Sequence, residues 1–265
     1  MKNRIPHKIY KYQSLADGSH CLENLTKHQV YFPKPELLND PFDFRISFVL
    51  SSLTEKEWRS GFDKFSEMIE ADLGTNAVKQ AQAEFLTNGE LNQHFKNTLI
   101  RANSKNISGS SAKYEQRGVA CFAKKFDNIL MWSHYADGHR GLCLEFDTRF
   151  PPFNDPQKLH KVIYDNHRPT LSPIEFIVNG FIPVTPLITK SRKWEYEKEW
   201  RLITPHGNSS IEYDPKALTG IYFGCLMPDA QKRKIATMPA NSAPHLFCMK
   251  TSTTEFKLEY FPFHI

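Results

Sequence analysis

The stretch from Lys193 to Ile203 reads KWEYEKEWRLI and is the most informative segment for the fold. In an extended strand, alternation would place Glu195, Glu197 and Glu199 on one face. Aligned carboxylates repel each other, so such a strand needs cations or ligand hydroxyls opposite them. An edge strand protected by charge is one interpretation. Trp194, Trp200 and Arg201 are large side chains that protection of an edge strand does not require, so they favour a functional strand.

Outward from this segment, short strands and short helices are mixed without a regular alternation. Strand patterns are predicted at 7–12, 30–32, 119–123, 142–146, 161–164, 197–203, 220–223, 245–249 and 256–260. Helices are predicted at 21–27, from 54, from 76 to about 101, and at 128–136, 173–179 and 229–236. This order indicates an α+β fold. We expect one domain over residues 1–265.

In the segment at about 54–110 the apolar residues follow a helical spacing, and the segment is predicted to be a helical insertion. Apolar side chains from Trp58 to Leu73 recur at helical spacing. Thr54 and Glu57 form a predicted capping box at the start of the first helix. A Ser/Asn-rich loop is expected to follow the second helix. Periodicity leaves open whether this pair is a plain insertion or a lid.

Composition is that of an ordinary globular protein, with 40% hydrophobic and 24% charged residues among 265. The net charge of +5 permits a nucleic-acid partner without indicating one. The five cysteines form no CxxC pair, so free thiols in a reducing, cytoplasmic compartment are expected. An apolar signal core and an 18-residue apolar run are both lacking, so no membrane partner is expected.

Three further segments are denser in polar and aromatic groups than their structure needs. On the first strand, Tyr12 shares a face with Tyr10, while Lys11 points the other way. Asn39 lies in a turn-rich LNDPFD segment that suits either a structural turn or a ligand loop. Trp132 and Tyr135 lie three apart on a predicted helix, as a core face or as a platform for a planar ligand.

His134 lies in the same predicted helix, and His139 follows it. His134, His139 and Cys143 are conceivable metal ligands, but their spacing matches no standard zinc pattern. We therefore predict no metal, and assign His139 to the cofactor-binding set.

The segments LNDPFD (38–43), MWSHYAD (131–137) and EKEWR (197–201) together resemble a widespread bacterial domain family of unknown function. The resemblance covers nearly the whole chain, with 54–110 its most variable part. It carries little biochemistry by itself.

A second resemblance is to arginine-modifying ADP-ribosyltransferases, because Glu197-Lys198-Glu199 is similar to their late Glu-x-Glu motif. The strand at 119–124 lies where their middle strand would, although it reads Cys121-Phe122-Ala123 in place of Ser-Thr-Ser. The first strand offers Lys11 in place of Arg or His. The resemblance implies a split mixed or antiparallel sheet, NAD as substrate, and no metal.

The same resemblance implies transfer of ADP-ribose from NAD to a macromolecule, protein or nucleic acid, or NAD hydrolysis. Such bacterial enzymes often act as toxins or anti-phage defence effectors, which would imply a regulatory partner such as an antitoxin. Cleavage of the nicotinamide–ribose bond passes through an oxocarbenium-like state that a carboxylate stabilises.

The resemblance also implies roles for individual residues. Glu199 would orient the ribose and Glu197 would position or deprotonate the acceptor. Trp132 or Tyr135 would stack the nicotinamide, and Lys11 would meet the pyrophosphate. The cofactor-binding set is completed by Tyr12, Asn39 and His139. We expect Asn39, Glu199 and one of the two aromatic side chains to converge on one cleft.

Two other functions remain open on the sequence. A metal-dependent nuclease would draw its carboxylates from Asp40, Asp43, Glu145, Asp147 and Glu197. A non-enzymatic module would use the aromatic side chains to hold a nucleotide or peptide.

Overall fold

The protein is described by a computed structural model over residues 4–16, 20–44, 47–48, 53–98, 115–171, 184–238 and 243–265. It forms two compact units. Unit 1 holds residues up to 41, 116–164 and 190–265, and unit 2 holds 42–115 and 165–189. Whether the second unit is an insertion into one domain stays a prediction.

The strands are β1 (Lys8–Gln13), β2 (Gln29–Phe32), β3 (Ser47–Phe48), β4 (Leu86–Thr87), β5 (Glu90–Leu91), β6 (Gly118–Ala123), β7 (Leu142–Asp147), β8 (Leu159–Lys161), β9 (Ile163–Asp165), β10 (Thr170–Leu171), β11 (Thr189–Ser191), β12 (Glu199–Thr204), β13 (Ser209–Glu212), β14 (Leu218–Phe223), β15 (His245–Thr251) and β16 (Leu258–Pro262). The α-helices are α1 (Cys21–Thr26), α2 (Glu55–Leu73), α3 (Thr75–Phe85), α4 (Ile129–Tyr135), α5 (Thr185–Ile188) and α6 (Asp229–Ala236).

Unit 1 is built on an eight-stranded sheet in the order β16-β15-β14-β7-β1-β6-β12-β8. The pair β14–β15 is parallel and the other pairs are antiparallel. A mixed sheet with separate helices confirms the predicted α+β class. A second, two-stranded pairing joins β2 and β13.

The sheet is narrowest between β1 and β6, which pair at one position, Tyr10 with Ala123. By contrast, β1 pairs with β7 along its whole length, and β6 pairs likewise with β12. Near the narrow point the Lys11 ammonium donates to the Cys121 carbonyl at 3.3 Å and lies over the Phe122 ring. Lys11 is half-buried, and its ammonium is held by these two contacts.

Alternation along the strands gives the sheet two apolar faces. Ile9 and Leu144 belong to the larger core cluster. Tyr10, Tyr12 and Cys143 belong to the smaller one, which α4 covers with Trp132. The prediction that Tyr10 and Tyr12 share a face is confirmed.

In unit 2, α2 begins at the predicted capping box. The Thr54 hydroxyl accepts from the Glu57 N–H, and Glu57 accepts from the Thr54 N–H. The predicted helix from 76 to about 101 is confirmed as far as Phe85, where α3 ends, but β4 and β5 then follow as a hairpin before residues 93–98 become helical again. Asn88 and Gly89 have φ of 52° and 81°. That left-handed pair is what a two-residue Asn-Gly hairpin turn requires.

Other predicted elements are shifted by a few residues or divided. The expected strand at 161–164 is two strands, β8 and β9. The predicted helix at 173–179 and the Ser/Asn-rich loop predicted up to 111 lie outside the described residues. Within the described ranges, no helix is both long and apolar enough to span a bilayer.

Candidate functional site

The Glu-x-Glu segment is not an extended strand throughout. Residues Arg192–Glu197 form a 3-10 helix, and Lys198 closes it in the left-handed conformation with φ of 46°. β12 begins only at Glu199. The expected row of three aligned carboxylates was therefore wrong: Glu195 is exposed and pairs with Lys198, whereas Glu197 and Glu199 are each 3% exposed.

The two buried carboxylates belong to one network of four charges. The Lys190 ammonium donates to Glu197 Oε2 at 2.6 Å and to Glu199 Oε2 at 3.3 Å. Arg201 donates to Glu199 from Nε at 2.8 Å and from Nη2 at 3.1 Å. All four side chains are buried. Two cations and two carboxylates balance, which is what the burial of charge requires.

The environments of the two carboxylates differ in a way that separates their pKa values. Burial alone would raise the pKa of Glu199, but the charges of Arg201 and Lys190 outweigh it and lower the pKa to about 2. Burial raises the pKa of Glu197 above its usual range, although Lys190 opposes the rise. Glu199 is therefore the fixed anion, and Glu197 is the carboxylate that can exchange a proton.

The network reaches the surface through Tyr135 at the end of α4. Tyr135 Oη donates to Glu197 Oε1 at 2.6 Å. The exposed Asn39 side chain donates to Tyr135 Oη at 3.1 Å. Burial and the Glu197 charge raise the pKa of Tyr135, so it stays a phenol that can donate. Asn39, Tyr135 and Glu199 are thus joined through Glu197 and Lys190.

Two further side chains complete the inner end. The Glu199 N–H donates to Tyr164 Oη at 2.7 Å. The Cys121 thiol hydrogen-bonds to the Glu199 carboxylate, and burial raises the pKa of that thiol. Sequence reasoning missed Lys190, Tyr164 and Cys121 as site residues. None of the three lies in a recognisable motif, and they become neighbours of Glu199 only through strand pairing and chain crossing.

An aromatic cluster of His134, Trp194 and Tyr196 lies beside the outer end of the network. Trp194 and Tyr196 have ring centroids 5.9 Å apart, and His134 is 6.2 Å from Trp194. The Lys190 ammonium lies 4.9 Å from the Trp194 ring centroid, in cation–π contact. His134 is exposed and the other two are half-buried. The cluster thus offers planar surface near the charge network.

Three predicted binding residues have other partners. Trp132 is fully buried, and its indole N–H donates to the Phe126 carbonyl at 2.7 Å. The buried Tyr12 donates to the Lys125 carbonyl at 2.9 Å. His139 contacts Ser133 and Cys225. Of the two aromatic candidates on α4, Tyr135 joins the network and Trp132 belongs to the core.

Two of the carboxylates proposed for a nuclease, Glu145 and Asp147, have partners outside the network of four charges. Glu145 accepts from Lys8, Tyr10, Thr219 and Tyr222. Asp147 is paired with Arg149. Across the part of the chain that the structure describes, no three His, Cys, Asp or Glu side chains are grouped to hold a metal ion.

Comparison with known proteins gives one match. Neither the curated proteins nor the solved structures contain a match to the chain. A family model matches residues 131–202, the part that carries the MWSHYAD and EKEWR segments and the residues Tyr135, Lys190, Glu197, Glu199 and Arg201. That model is described as protein of unknown function (DUF2971), and over these residues it confirms the predicted resemblance to a domain family of unknown function.

Proposed function

We propose that this protein cleaves NAD at the nicotinamide–ribose bond and transfers the ADP-ribose to a macromolecular acceptor. One observation carries the proposal. The two carboxylates of the Glu-x-Glu segment share a buried network that separates their pKa values and opens to the surface at Tyr135 and Asn39. Paired carboxylates of unlike pKa are a common means of dividing acid–base work.

The fold gives secondary support. The one residue of β6 that pairs with β1 is Ala123. On its other side, Ala123 pairs with Glu199, the first residue of β12. A sheet that nearly divides there is similar to the split sheet of ADP-ribosyltransferases. This similarity concerns architecture and carries no chemistry by itself.

The contacts suggest a division of labour that differs from the one the resemblance implies. The Glu199 carboxylate is already occupied by Arg201, Lys190 and Cys121. We assign it as a positioning residue, which holds Lys190 against Glu197. Glu197 accepts from Tyr135, through which the network reaches the exposed Asn39, and we assign Glu197 to the substrate and acceptor.

In this mechanism the bond between nicotinamide N1 and ribose C1′ breaks, and its electron pair leaves with neutral nicotinamide. The ribose becomes oxocarbenium-like, and the Glu197 carboxylate stabilises that charge. An acceptor hydroxyl or amine then bonds to C1′, and Glu197 takes its proton. Tyr135 holds Glu197 in place, and Trp194 and Tyr196 replace the buried Trp132 as the surface for the nicotinamide ring.

Glu197→Gln tests the proposal, with Glu145→Gln as a matched control. Glu145 is also a buried carboxylate held by a lysine and tyrosines, but in a different cluster. Nicotinamide release from NAD, and transfer of labelled ADP-ribose to protein or RNA, would be measured beside melting curves. We expect Glu197→Gln to lose about 100-fold or more in turnover, a typical loss for an acid–base group.

Glu145→Gln is expected to keep the turnover of the unmodified protein, even if it melts earlier. Equal turnover by a folded Glu197→Gln variant, or failure of the unmodified protein to release nicotinamide, would refute the proposal. A binding module is the second candidate, because the four buried charges are mutually satisfied without a ligand. Calorimetric binding of NAD without release of nicotinamide would support that candidate.

A further inference from the structure

A second group of reactive side chains lies at the other side of α4, where Ser133, His139 and Cys225 meet. His139 Nε2 is 3.0 Å from Ser133 Oγ, and His139 Nδ1 is 3.7 Å from Cys225 Sγ. Ser133 is exposed, and the other two are half-buried. The proposed NAD chemistry uses none of the three.

The hydrogen bonds around Ser133 favour one tautomer of His139. Ser133 has one hydroxyl proton, and it donates that proton to the Ile129 carbonyl at 3.0 Å. Ser133 Oγ can therefore only accept from His139, so Nε2 carries the imidazole proton. Nδ1 is left with a free lone pair that faces the Cys225 thiol. Burial lowers the pKa of His139 and raises that of Cys225, which agrees with a neutral imidazole and a protonated thiol.

The backbone holds this pair in place. Asp137, Gly138 and His139 are all left-handed, with φ of 51°, 54° and 68°. Such a run is costly for residues other than glycine, and backbone strain of this kind is concentrated at functional sites. The Gly224 N–H donates to the Gly141 carbonyl, and the Leu226 N–H donates to the His139 carbonyl, both at 3.0 Å. The loop that carries Cys225 is thus tied to the His139 loop on both sides of the cysteine.

The backbone N–H groups of the loop that carries Cys225 bear on which class of reaction the thiol could perform. The N–H groups of Gly224, Leu226 and Met227 are all committed to backbone carbonyls. These three N–H groups are therefore not available as the oxyanion donors that acyl transfer needs. Attack on a sulfur atom generates no oxyanion and needs no such donors.

We infer that Cys225 is a thiol–disulfide exchange site whose substrate is a low-molecular-weight disulfide. His139 acts as the general base, and Ser133 orients His139. The Cys225 proton passes to His139 Nδ1, and the thiolate attacks one sulfur of the disulfide. The S–S bond of the substrate breaks as the mixed disulfide forms. The leaving thiolate keeps the bonding pair and takes the proton from the imidazolium, so Cys225 is oxidised and the leaving sulfur is reduced.

Glutathione disulfide is the probe, applied to the reduced full-length chain, with adduct formation followed by intact mass and located by peptide mapping. We expect one adduct, at Cys225, and none at that position in Cys225→Ser. His139→Asn should slow the reaction about 100-fold or more, the usual contribution of a general base. Asparagine tolerates the left-handed backbone, so the loop should persist.

Cys248→Ser is the matched control, because Cys248 is also partly exposed and also lies near Lys232, but its further charged neighbours are Asp229 and Lys250. It should react like the unmodified protein. Ser133→Ala should slow adduct formation, and Ser133→Thr, which keeps the hydroxyl, should restore it; this pair decides the matter if His139→Asn fails to fold. A faster adduct at another cysteine, no adduct at all, or equal rates for the Ser133 variants would overturn the inference.

Discussion

At the scale of single residues, the site depends on how Glu197 is held. It is buried between one cation, Lys190, and one neutral donor, Tyr135. Loss of either partner leaves a carboxylate with unmet hydrogen-bonding capacity in a region that water does not fully reach. The two partners are therefore expected to have separable effects on stability and on the pKa of Glu197.

Tyr135→Phe tests the neutral donor. Removing the hydroxyl should lower the free energy of unfolding by about 1–3 kcal/mol, the usual cost of a lost hydrogen bond to a charged group. It should also raise the pKa of Glu197 further, because the tyrosine bond lowers it. Urea unfolding measures the first effect, and the pH profile of turnover measures the second.

Asn39→Ala is the control for this prediction. Asn39 bonds to the same Tyr135 hydroxyl but is exposed, so its loss should cost less than about 1 kcal/mol. Equal losses from the two variants would mean that Tyr135 does not support a buried charge.

Sequence reasoning identified parts of this site, and the reasons for its gaps are physical. The three motif segments supplied Asn39, Tyr135 and the two glutamates. Lys190 could not be assigned to the site from the sequence, because a single lysine in the segment TKS has no periodicity or spacing that distinguishes it. Trp132 was misassigned because a buried and a stacking tryptophan look alike at helical spacing.

At the scale of the element, Lys198 separates the 3-10 helix from β12. Its φ of 46° and ψ of 50° allow Glu197 to end one element and Glu199 to begin the next. Strand alternation failed as a predictor because a left-handed lysine has no sequence signature. The Asn88-Gly89 hairpin did have one, since that dipeptide strongly indicates a two-residue turn.

A comparison of Lys198→Gly with Lys198→Ala isolates the backbone conformation. Both variants remove the exposed ion pair with Glu195, and they differ only by Cβ. Glycine should be more stable than alanine by about 1 kcal/mol, because a left-handed L-residue costs roughly that much. Thermal melting with calorimetry gives the difference. An alanine variant as stable as the glycine variant would contradict the left-handed assignment.

At the scale of the molecule, the sheet joins the proposed NAD and thiol sites through one helix. α4 carries Tyr135 toward Glu197 and Ser133 toward His139, and its Trp132 fills the core between Tyr12 and the His139 ring. The α+β class followed from the mixed order of strands and helices. The strand order did not, because pairing between distant segments such as β12 and β6 leaves no local pattern.

The four buried charges also give the whole molecule a predictable response to acid. Glu199 has a folded-state pKa of about 2, below its ordinary 4.5, so its ionised form stabilises the fold. That contribution is present above pH 4.5 and is lost as the pH falls toward 2. Glu197 has the opposite sign: its pKa is raised, so the folded protein takes up its proton more readily and gains relative stability as the pH falls.

Glu199→Gln should therefore lower the free energy of unfolding most at neutral pH, by about 3 kcal/mol or more. Arg201 and Lys190 stay buried in this variant but lose one of the two carboxylates that balance their charges. The difference in free energy of unfolding from the unmodified protein should shrink steadily below pH 4.5, because the unfolded state of the unmodified protein then takes up a proton at Glu199 that the folded state does not. Glu197→Gln should show the reverse trend, since it mimics the protonated form that acid favours. Urea unfolding at intervals from pH 7 to pH 3 would measure both. A constant difference for Glu199→Gln across that range would mean that Glu199 is not the anion that Arg201 and Lys190 hold.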